Sequence, residues 1–488
     1  MADRDGGAPG ASRRNLLRGG AVLAGATVLS NSAPAAAAPG PDGTGRKVLN
    51  HAGQDRGFPF WTPSVVNMVA DFGARGDGVT DDTRAFELAY RYAASRVRDG
   101  IGRTVIDIPA GKFLVKRPHA LLNGTAPPRP ANGLRFRGAG KRMTQIVFQP
   151  ETGPGSYLCR NEDVWANVMF EHMQFRSATP GASFFYSYST GLAQDYRFSE
   201  CEWMGEWEYG VALDGVDTNS EMRWDACRVG GSYRKAFLYS GLSKRTPDPQ
   251  RQDQFLNYWF NDMKVEYEWG NFLEFPYGGS ITCRGGSYLI TGRRPVDTPE
   301  YGRSSTFFRF PQGQHHDSVQ RFHAADIRFE VRDPEVLVID CSWKGGTVRF
   351  SDCDDTAQAF KDFSGEVRPH RYAIGARGPL IRYDSCQLVG RHEYRTSAPT
   401  ESIPKVARYD MCLIRSHTAV DFAVLDNAIP EGVVTFVDCI DELNSAAAQV
   451  PTPTPAPAPS QTSDPAAGAS TAIPAPAVPA PGLTAPVG

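Results

Sequence analysis

The stretch Tyr383-Asp-Ser-Cys386-Gln-Leu388 returns as Tyr409-Asp-Met-Cys412-Leu-Ile414, with 26 positions between the two cysteines. Both copies have an aromatic residue, two turn-compatible residues, a cysteine and an apolar residue two positions later. The same template fits around Cys201, Cys227, Cys353 and Cys439, around Cys341 with Val338 in the aromatic position, and around Met173 and Met263 with methionine replacing cysteine. Short β-prone segments with a period in the twenties are typical of a solenoid.

The template predicts where each side chain of a coil points. The aromatic residue ends one strand facing inward, the next two residues form a corner, and the cysteine opens the next strand, also facing inward. Stacked coils would place the cysteines in a column with a spacing of about 4.8 Å. Cysteine is a favoured small buried residue, and the sequence has no CxxC pair. We therefore expect reduced, buried thiols in preference to disulfides or a metal site, and no cofactor.

A second motif lies near the N-terminus: residues 69–86 read Val-Ala-Asp-Phe-Gly-Ala-Arg-Gly-Asp-Gly-Val-Thr-Asp-Asp-Thr-Arg-Ala-Phe. It continues with a helical pattern that places Phe86, Ala89, Tyr90 and Ala93 on one face, then with Val105-Ile-Asp-Ile-Pro-Ala-Gly-Lys-Phe-Leu-Val115 and Gly133-Leu-Arg-Phe-Arg-Gly-Ala-Gly140. The whole segment resembles the opening of the pectate-lyase/polygalacturonase superfamily.

The resemblance implies an all-β fold, a single-stranded right-handed parallel β-helix whose open end is covered by an N-terminal capping helix. It does not imply one activity, because the superfamily holds hydrolases, lyases, epimerases, phage tailspikes and binding proteins. The Asn-Thr-Asp…Asp-Asp…Gly-His-Gly pattern of polygalacturonases is absent from the sequence.

The chain divides into four segments by composition. Residues 1–38 resemble a twin-arginine (Tat) signal peptide, 39–63 form an N-terminal extension, 64–445 form the β-helix, and 446–488 are a disordered Pro/Ala-rich tail. We expect a secreted protein that is extracellular or associated with the cell wall. The net charge of −2 argues against a nucleic-acid partner, and no apolar run is long enough to span a membrane.

An arginine precedes the inward aromatic position in most coils, at Arg135, Arg197, Arg223, Arg321, Arg349, Arg382 and Arg408. Alternation predicts that these side chains point outward and stack. One interpretation is a stripe that binds an anionic glycan. The other is a salt-bridge ladder, because Asp225, Asp384 and Asp410 each follow an arginine by two positions.

Candidate site residues come from the strand that follows the variable loop. Its outward positions are predicted to be Asp214, Ser240 or Tyr239, Glu274 and Arg309, with Asp217 just beyond the first strand. Carboxylates one or two coils apart have the spacing that glycoside hydrolysis requires. We therefore predict Asp214, Asp217 and Glu274 as catalytic residues. The predicted substrate-binding residues are Arg197, Arg223, Arg309 and Arg321, with Trp207 and Trp269 as stacking platforms, whereas Trp203 and Trp224 are assigned to the core.

The favoured function is cleavage of an extracellular polysaccharide by a glycoside hydrolase with paired carboxylates. The first alternative is a polysaccharide lyase that acts on a uronic-acid polymer by β-elimination. The second is a non-catalytic glycan-binding or tailspike-like protein that forms a homotrimer. No metal site is predicted, since His315-His316-Asp317 lacks a third ligand at suitable spacing.

Overall fold

The computed structural model of the protein describes the chain from residue 64 to residue 441 with gaps. The described residues are 64–97, 102, 104–124, 131–162, 165–189, 192–215, 218–241, 257–276, 278–296, 304–311, 320–333, 335–343, 345–355, 370–375, 378–389, 391–396, 406–415, 423–425 and 433–441. The predicted signal peptide, N-terminal extension and Pro/Ala-rich tail lie outside these residues.

The N-terminal half of the described chain holds one helix and 19 strands. They are β1 (Ser64–Asn67), β2 (Asp77–Asp81), α1 (Thr83–Ser95), β3 (Thr104–Ile108), β4 (Gly111–Val115), β5 (Leu122–Asn123), β6 (Ala131–Gly138), β7 (Thr144–Phe148), β8 (Tyr157–Glu162), β9 (Trp165–Glu171), β10 (Gln174–Ser177), β11 (Ser183–Ser189), β12 (Leu192–Gln194), β13 (Arg197–Ser199), β14 (Glu202–Met204), β15 (Glu206–Gly215), β16 (Thr218–Ser220), β17 (Met222–Asp225), β18 (Arg228–Val229) and β19 (Ser232–Ser240).

The C-terminal half of the described chain is formed by strands alone. They are β20 (Tyr258–Tyr267), β21 (Asn271–Glu274), β22 (Gly279–Ile290), β23 (Thr306–Phe310), β24 (Gln320–Ala325), β25 (Arg328–Val331), β26 (Leu337–Cys341), β27 (Thr347–Ser351), β28 (Asp354–Asp355), β29 (His370–Ile374), β30 (Ile381–Asp384), β31 (Gln387–Leu388), β32 (His392–Thr396), β33 (Ala407–Asp410), β34 (Leu413–Ile414), β35 (Ala423–Leu425), β36 (Val434–Val437) and β37 (Ile440–Asp441).

The strands form three parallel stacks, and most coils of the chain contribute a strand to each stack in turn. Sheet 1 contains β1, β3, β6, β9, β13, β17, β20, β22, β24, β27, β30, β33 and β36, and the short strands β12 and β16 extend it beside β9. Sheet 2 contains β2, β4, β7, β10, β14, β18, the second halves of β20 and β22, β25, β28, β31, β34 and β37, and sheet 3 contains β5, β8, β11, β15, β19, β21, β23, β26, β29, β32 and β35. This is the predicted right-handed parallel β-helix.

The corner between sheets 1 and 2 explains the template. In nine coils the residue directly before the cysteine position has a left-handed backbone; these residues are His172, Glu200, Ala226, Asp262, Asp326, Asp352, Ser385, Met411 and Asp438. None of them is β-branched, and such residues tolerate this conformation at a cost of about 1–2 kcal/mol. The next coil offsets that cost with a hydrogen bond: the N–H of Glu200 donates to the Asp225 carbonyl at 2.9 Å.

The inward aromatic residues stack along the solenoid axis, as the template predicts. Ring centroids are 4.9 Å apart between Phe136 and Phe170, 5.3 Å between Phe198 and Trp224, and 5.0 Å between Tyr383 and Tyr409. Stacked rings at this spacing fill much of the lumen and pack each coil against the next.

The assignment of Cys341 to the corner column is wrong. Cys341 ends β26 in sheet 3, where it pairs with Phe310 and Ile374. The corner of that coil is instead at Cys353, and the apolar alternation Val338–Cys341 belongs to an ordinary strand. Alternation alone does not distinguish a strand end from a corner.

All nine cysteines are free thiols, as predicted, and all except the half-buried Cys439 are buried. Burial raises the pKa of Cys283 and of Cys341 to about 12. Neighbouring thiols of the corner column touch across coils, since the N–H of Cys201 donates to Sγ of Cys227 at 3.4 Å.

Helix α1 has the predicted inward face, with Phe86, Ala89, Tyr90 and Ala93 buried. The motif before it is held by Asp82, whose two carboxylate oxygens accept the backbone N–H groups of Arg75 (2.6 Å) and Gly76 (3.1 Å). Thr83 Oγ1 accepts the N–H of Lys116 at 2.8 Å, which ties the helix to the second coil. No helix in the described residues is long and apolar enough to cross a membrane.

Replacing Asp82 with alanine should lower the free energy of unfolding by about 2–3 kcal/mol, because two backbone N–H groups lose their buried acceptor. Asp77→Ala is the matched control: its carboxylate also accepts two backbone N–H groups, from Val79 and Thr80, but it is exposed to water. Urea denaturation would measure both variants. Equal losses would contradict the role given to burial at Asp82.

The thiols should react slowly with Ellman's reagent at pH 8 in the native state, because burial raises their pKa values and blocks access. We expect about one reactive thiol, Cys439, and nine after denaturation without reductant. Fewer than nine in denaturant would reveal a disulfide and contradict the reduced column.

Candidate functional site

The outer face of sheet 3 carries one in-register column that changes from aromatic to charged residues along the axis. From the N-terminal coil onward its members are Arg160, Tyr186, Ala212, Tyr239, Glu274, Arg309, Asp340, Ala373 and Arg395. The residues directly before them in the same strands, such as Leu273 and Phe308, are buried in the lumen. The alternation of the strand therefore points the column outward.

Four residues of this face form a charged cluster: Lys235, Glu274, Arg309 and Asp340. Glu274 Oε1 lies 3.0 Å from Lys235 Nζ and 3.3 Å from Arg309 Nη1. Arg309 Nε donates to Asp340 Oδ2 at 3.2 Å, so one guanidinium bridges two carboxylates. Asn271 Nδ2 donates to Glu274 Oε2 at 2.8 Å.

The carboxylates of the charged cluster differ in exposure. The Glu274 side chain is 3% exposed, whereas those of Arg309 and Asp340 are 30% exposed. Burial raises the pKa of Asp340 above its ordinary value, and the nearby Glu274 raises it further, although Arg309 opposes both. Burial lowers the pKa of Lys235, against the opposing effect of Glu274. The cluster thus combines an acid that holds its proton to higher pH with an amine that loses its proton at lower pH.

Asp214 lies on the same outer face but not beside Glu274. It pairs with Tyr188, whereas Glu274 is in register with Tyr239 and Ala212. Two coils and two residues separate the carboxylates, which corresponds to about 12 Å between Cα atoms. Asp214 is buried and accepts a hydrogen bond from the Tyr186 hydroxyl at 2.9 Å. The predicted partner Asp217 lies outside the described residues.

The tyrosines around Asp214 form a second apolar cluster, separate from the lumen. Tyr157, Tyr186, Tyr209 and Ala212 pack together, with Tyr188 and Tyr239 at the edge. The Arg160 guanidinium lies 5.4 Å from the centre of the Tyr186 ring, and Lys235 Nζ lies 5.1 Å from that of Tyr239. Lys235 therefore joins this tyrosine cluster to the charged cluster.

The structure removes Trp207 as a stacking platform, because it is fully buried in the lumen against Phe184. The register of β15 against β19 shifts between Trp207 and Tyr209, so the alternation counted along the sequence does not carry through. Trp269 is 8% exposed, which leaves little ring surface for a sugar. Trp203 and Trp224 are core residues, as expected.

The arginine column on sheet 1 is largely a salt-bridge ladder. Arg408 and Arg382 each donate to the aspartate two positions later, Asp410 and Asp384. Elsewhere the acid comes from the following coil: Arg197 lies 2.9 Å from Asp225, and Arg349 donates to Asp384 at 2.6 Å. Arg223 instead lies over the Trp259 ring at 5.0 Å.

Arg321 is not a member of that column. It pairs with Ser280 and Thr347, and the column position in its coil is taken by His323, which pairs with Arg349. The left-handed corner at Asp326 sets this register, and Ala324 occupies the aromatic position. The sequence pattern predicts Arg321 in the column because the aromatic Phe322 follows it. Phe322 does face inward, but it precedes the aromatic position of the coil, which Ala324 occupies, by two residues.

The family comparison agrees with the architecture. Residues 65–196 match the model of the family described as "Rhamnogalacturonase A/epimerase, pectate lyase-like". The N-terminal part of this β-helix is therefore similar to that family.

Curated and solved relatives are more distant. The preneck appendage protein of Bacillus phage PZA is 36% identical over 96 residues, which cover 20% of this chain. The chain spans only 9% of that phage protein's length. The A-module of Azotobacter vinelandii mannuronan C-5 epimerase AlgE4 is 13% identical with a TM-score of 0.40, covering 76% of this chain and 96% of its own. The GH87 α-1,3-glucanase catalytic unit from Streptomyces thermodiastaticus is 13% identical with a TM-score of 0.33, covering 79% and 70%.

Sequence reasoning missed Asp340 and Lys235 on this β-helix. The cysteine template, applied around Cys341, predicts Asp340 to be a corner residue and not an outward residue of a strand. Aligning Leu337–Cys341 with Thr306–Phe310, its actual partner strand, would have placed Asp340 beside Arg309. No group of three or more histidine, cysteine or acidic side chains among the described residues is arranged to hold a metal ion.

Replacing Glu274 with glutamine should destabilise the protein by about 3 kcal/mol, because the partly buried Lys235 and Arg309 lose the buried anion that they share. The double variant Lys235→Met/Glu274→Gln should recover part of that loss, since one of the two unpaired cations is gone. Urea denaturation at pH 7 checks both. A double variant less stable than Glu274→Gln would contradict the charge-pairing account.

Proposed function

We propose that this protein cleaves a polysaccharide at the charged cluster on the outer face of sheet 3, by hydrolysis of a glycosidic bond. The observation that carries the proposal is the pair of carboxylates, Glu274 and Asp340, bridged by Arg309, with the pKa of Asp340 raised by burial. A carboxylic acid that keeps its proton is what a leaving glycosidic oxygen requires.

The shared guanidinium limits how far apart the two carboxylates can be. Because Glu274 Oε1 and Asp340 Oδ2 contact the same guanidinium at 3.3 Å and 3.2 Å, these oxygens are no more than about 9 Å apart. This limit is compatible with inverting glycosidases, whose carboxyl groups are about 6.5–9.5 Å apart and leave room for the attacking water, and also with retaining ones at about 5–5.5 Å. We propose the inverting reaction. Asp340 donates its proton to the leaving oxygen, and Glu274 accepts a proton from the water.

Arg309 positions both groups for this reaction. Its Nη1 contact holds the Glu274 carboxylate in place, and its Nε contact orients Asp340. Substrate approaches from the side on which Arg309 and Asp340 are exposed. The tyrosine cluster extends the same face by several coils toward the N-terminus, and its rings suit the apolar faces of sugars.

β-Elimination is a second candidate, which the lowered pKa of Lys235 favours. Lys235 would abstract the proton α to a uronate carboxyl group, Arg309 would stabilise the charge that develops there, and Asp340 would protonate the leaving oxygen. In both reactions Asp340 protonates the leaving oxygen. The base is Glu274 in hydrolysis and Lys235 in elimination.

The family match supports an action on polysaccharides, because its description names a rhamnogalacturonase and an epimerase. The phage appendage match keeps a non-catalytic glycan-binding protein, assembled as a trimer, as the alternative. Export through the twin-arginine route is part of the proposal: nine reduced cysteines suit a chain that folds in the reducing cytoplasm before it is secreted.

Asp340→Asn should lower kcat on a cleavable polysaccharide by about 10²–10⁴-fold, because asparagine has no proton to donate. Since the pKa of Asp340 is raised, wild-type activity should persist above the ordinary aspartate range and fall as pH rises through that raised pKa. Asp225→Asn, which removes an ion-paired carboxylate from sheet 1, is the matched control and should keep full activity.

A polysaccharide panel distinguishes the reactions. New reducing ends without ultraviolet absorbance near 235 nm would support hydrolysis, and absorbance would support elimination. If Asp340→Asn retained full activity, this site would be discarded, and binding without either product would leave only the glycan-binding alternative.

A further inference from the structure

We propose that Arg321 on sheet 1 is the centre of a second glycan site, remote from the charged cluster, that binds the oxyanion groups of an acidic polysaccharide. This inference is independent of cleavage on sheet 3, since it concerns a different face of the solenoid.

The first observation is the pattern of neutralisation on the outer face of sheet 1. Two outward columns run side by side, one rich in arginine and the other rich in acids. The second column reads, in register, Asp107, Arg137, Glu171, Ser199, Asp225, Asn261, Arg284, Ala325, Ser351, Asp384 and Asp410. Where the acids are present they hold the arginines of the first column in ion pairs, as in the Arg197–Asp225 bridge.

The second observation is that the acid column is interrupted where Arg321 lies. Three consecutive coils carry Arg284, Ala325 and Ser351 at the acid positions. From β22 to β33 the charged outward residues of these sheet 1 strands are therefore five arginines and two aspartates. They are Arg284, Arg321, Arg349, Arg382, Arg408, Asp384 and Asp410. This part of the face has a net positive charge.

Arg321 itself is exposed and makes no ion pair with any residue that the structure describes. Its in-register neighbours Ser280 and Thr347 are uncharged. The corner acid Asp326 is engaged by Arg284 at 3.3 Å. Arg321 thus presents a free guanidinium fork, which matches carboxylate and sulfate oxygens with two parallel hydrogen bonds.

His323 and Arg349 complete the site. His323 lies two residues after Arg321 on the same face, and its Nε2 is 2.8 Å from Ser351 Oγ. Burial first, and then the charges of Arg349 and Arg321, lower the pKa of His323, so both guanidinium groups act at this point. Arg349 turns its Nε toward Asp384 of the next coil and stays half-exposed.

The arrangement favours a polymer over a small ion. Arg321 and Arg349 belong to successive coils, and Arg349 is in register with His323, two residues beyond Arg321, so the two Cα atoms are about 8 Å apart. A chain with repeated acidic groups that lies obliquely across this face meets both cations, whereas a single small anion meets one. Exposed cations bind single ions weakly in salt, and repeated contacts add.

The test compares Arg321→Gln with Arg135→Gln, each in an Asp340→Asn background that prevents cleavage. Arg135 belongs to the arginine column of the same sheet but is paired with Glu171, several coils away. Titration calorimetry with oligogalacturonate, dextran sulfate, unmodified dextran and inorganic sulfate measures binding, and thermal melting confirms that each variant is folded.

We expect both acidic polymers to bind, unmodified dextran not to bind, and Arg321→Gln to weaken the acidic polymers about tenfold, the loss of one charge-assisted contact. Arg321→Lys should recover part of this affinity, and Arg135→Gln should leave it unchanged. Equal losses in Arg321→Gln and Arg135→Gln, or binding of inorganic sulfate as tight as that of the polymers, would overturn the inference. If the wild-type protein bound the acidic polymers but cleaved no polysaccharide, the Arg321 site would stand and the proposed hydrolysis would be ruled out.

Discussion

The left-handed corner between sheets 1 and 2 is the constraint on which the rest of the structure depends. In nine coils one residue adopts a costly conformation there, and the hydrogen bond from its N–H to the next coil offsets that cost only if the coils are in register. The corner therefore fixes the register of the strands that meet at it, and with it the alignment of the aromatic stack and the thiol column. A one-residue slip would turn the inward aromatic residues to the solvent.

The same register determines what the outer faces can do. Because in-register side chains repeat every coil, charges on the surface come in columns, and a column of like charges must be compensated by its neighbours. On sheet 1 a column of acidic side chains forms ion pairs with most of the arginines. Around Arg321 the positions of that column hold no acid. On sheet 3 the compensation is more compact: Arg309 and Lys235 share the buried Glu274, and Arg309 reaches Asp340.

Much of the fold could be predicted from local signals. The corner template, the helix pattern at Phe86–Ala93 and the opening motif each follow from short stretches whose physical meaning is local: a turn residue, a 3.6-residue period, a carboxylate that accepts neighbouring N–H groups. The site was less predictable. Glu274 and Arg309 are predicted as site residues because their strands alternate regularly. Asp340 is missed because the cysteine template treats its strand, which belongs to sheet 3, as the corner between sheets 1 and 2.

The sequence by itself determined that this chain is a parallel β-helix with reduced thiols and an N-terminal capping helix, because inward positions repeat and must be apolar in every coil. Only the tertiary structure decided which outward residues meet. Arg321 leaves the arginine column because the corner at Asp326, five residues later, sets the register, and Asp340 joins Glu274 because β23 lies between their strands. Contacts between coils depend on loop lengths and bulges, such as the shift at Trp207, and these leave no periodic signal in the sequence.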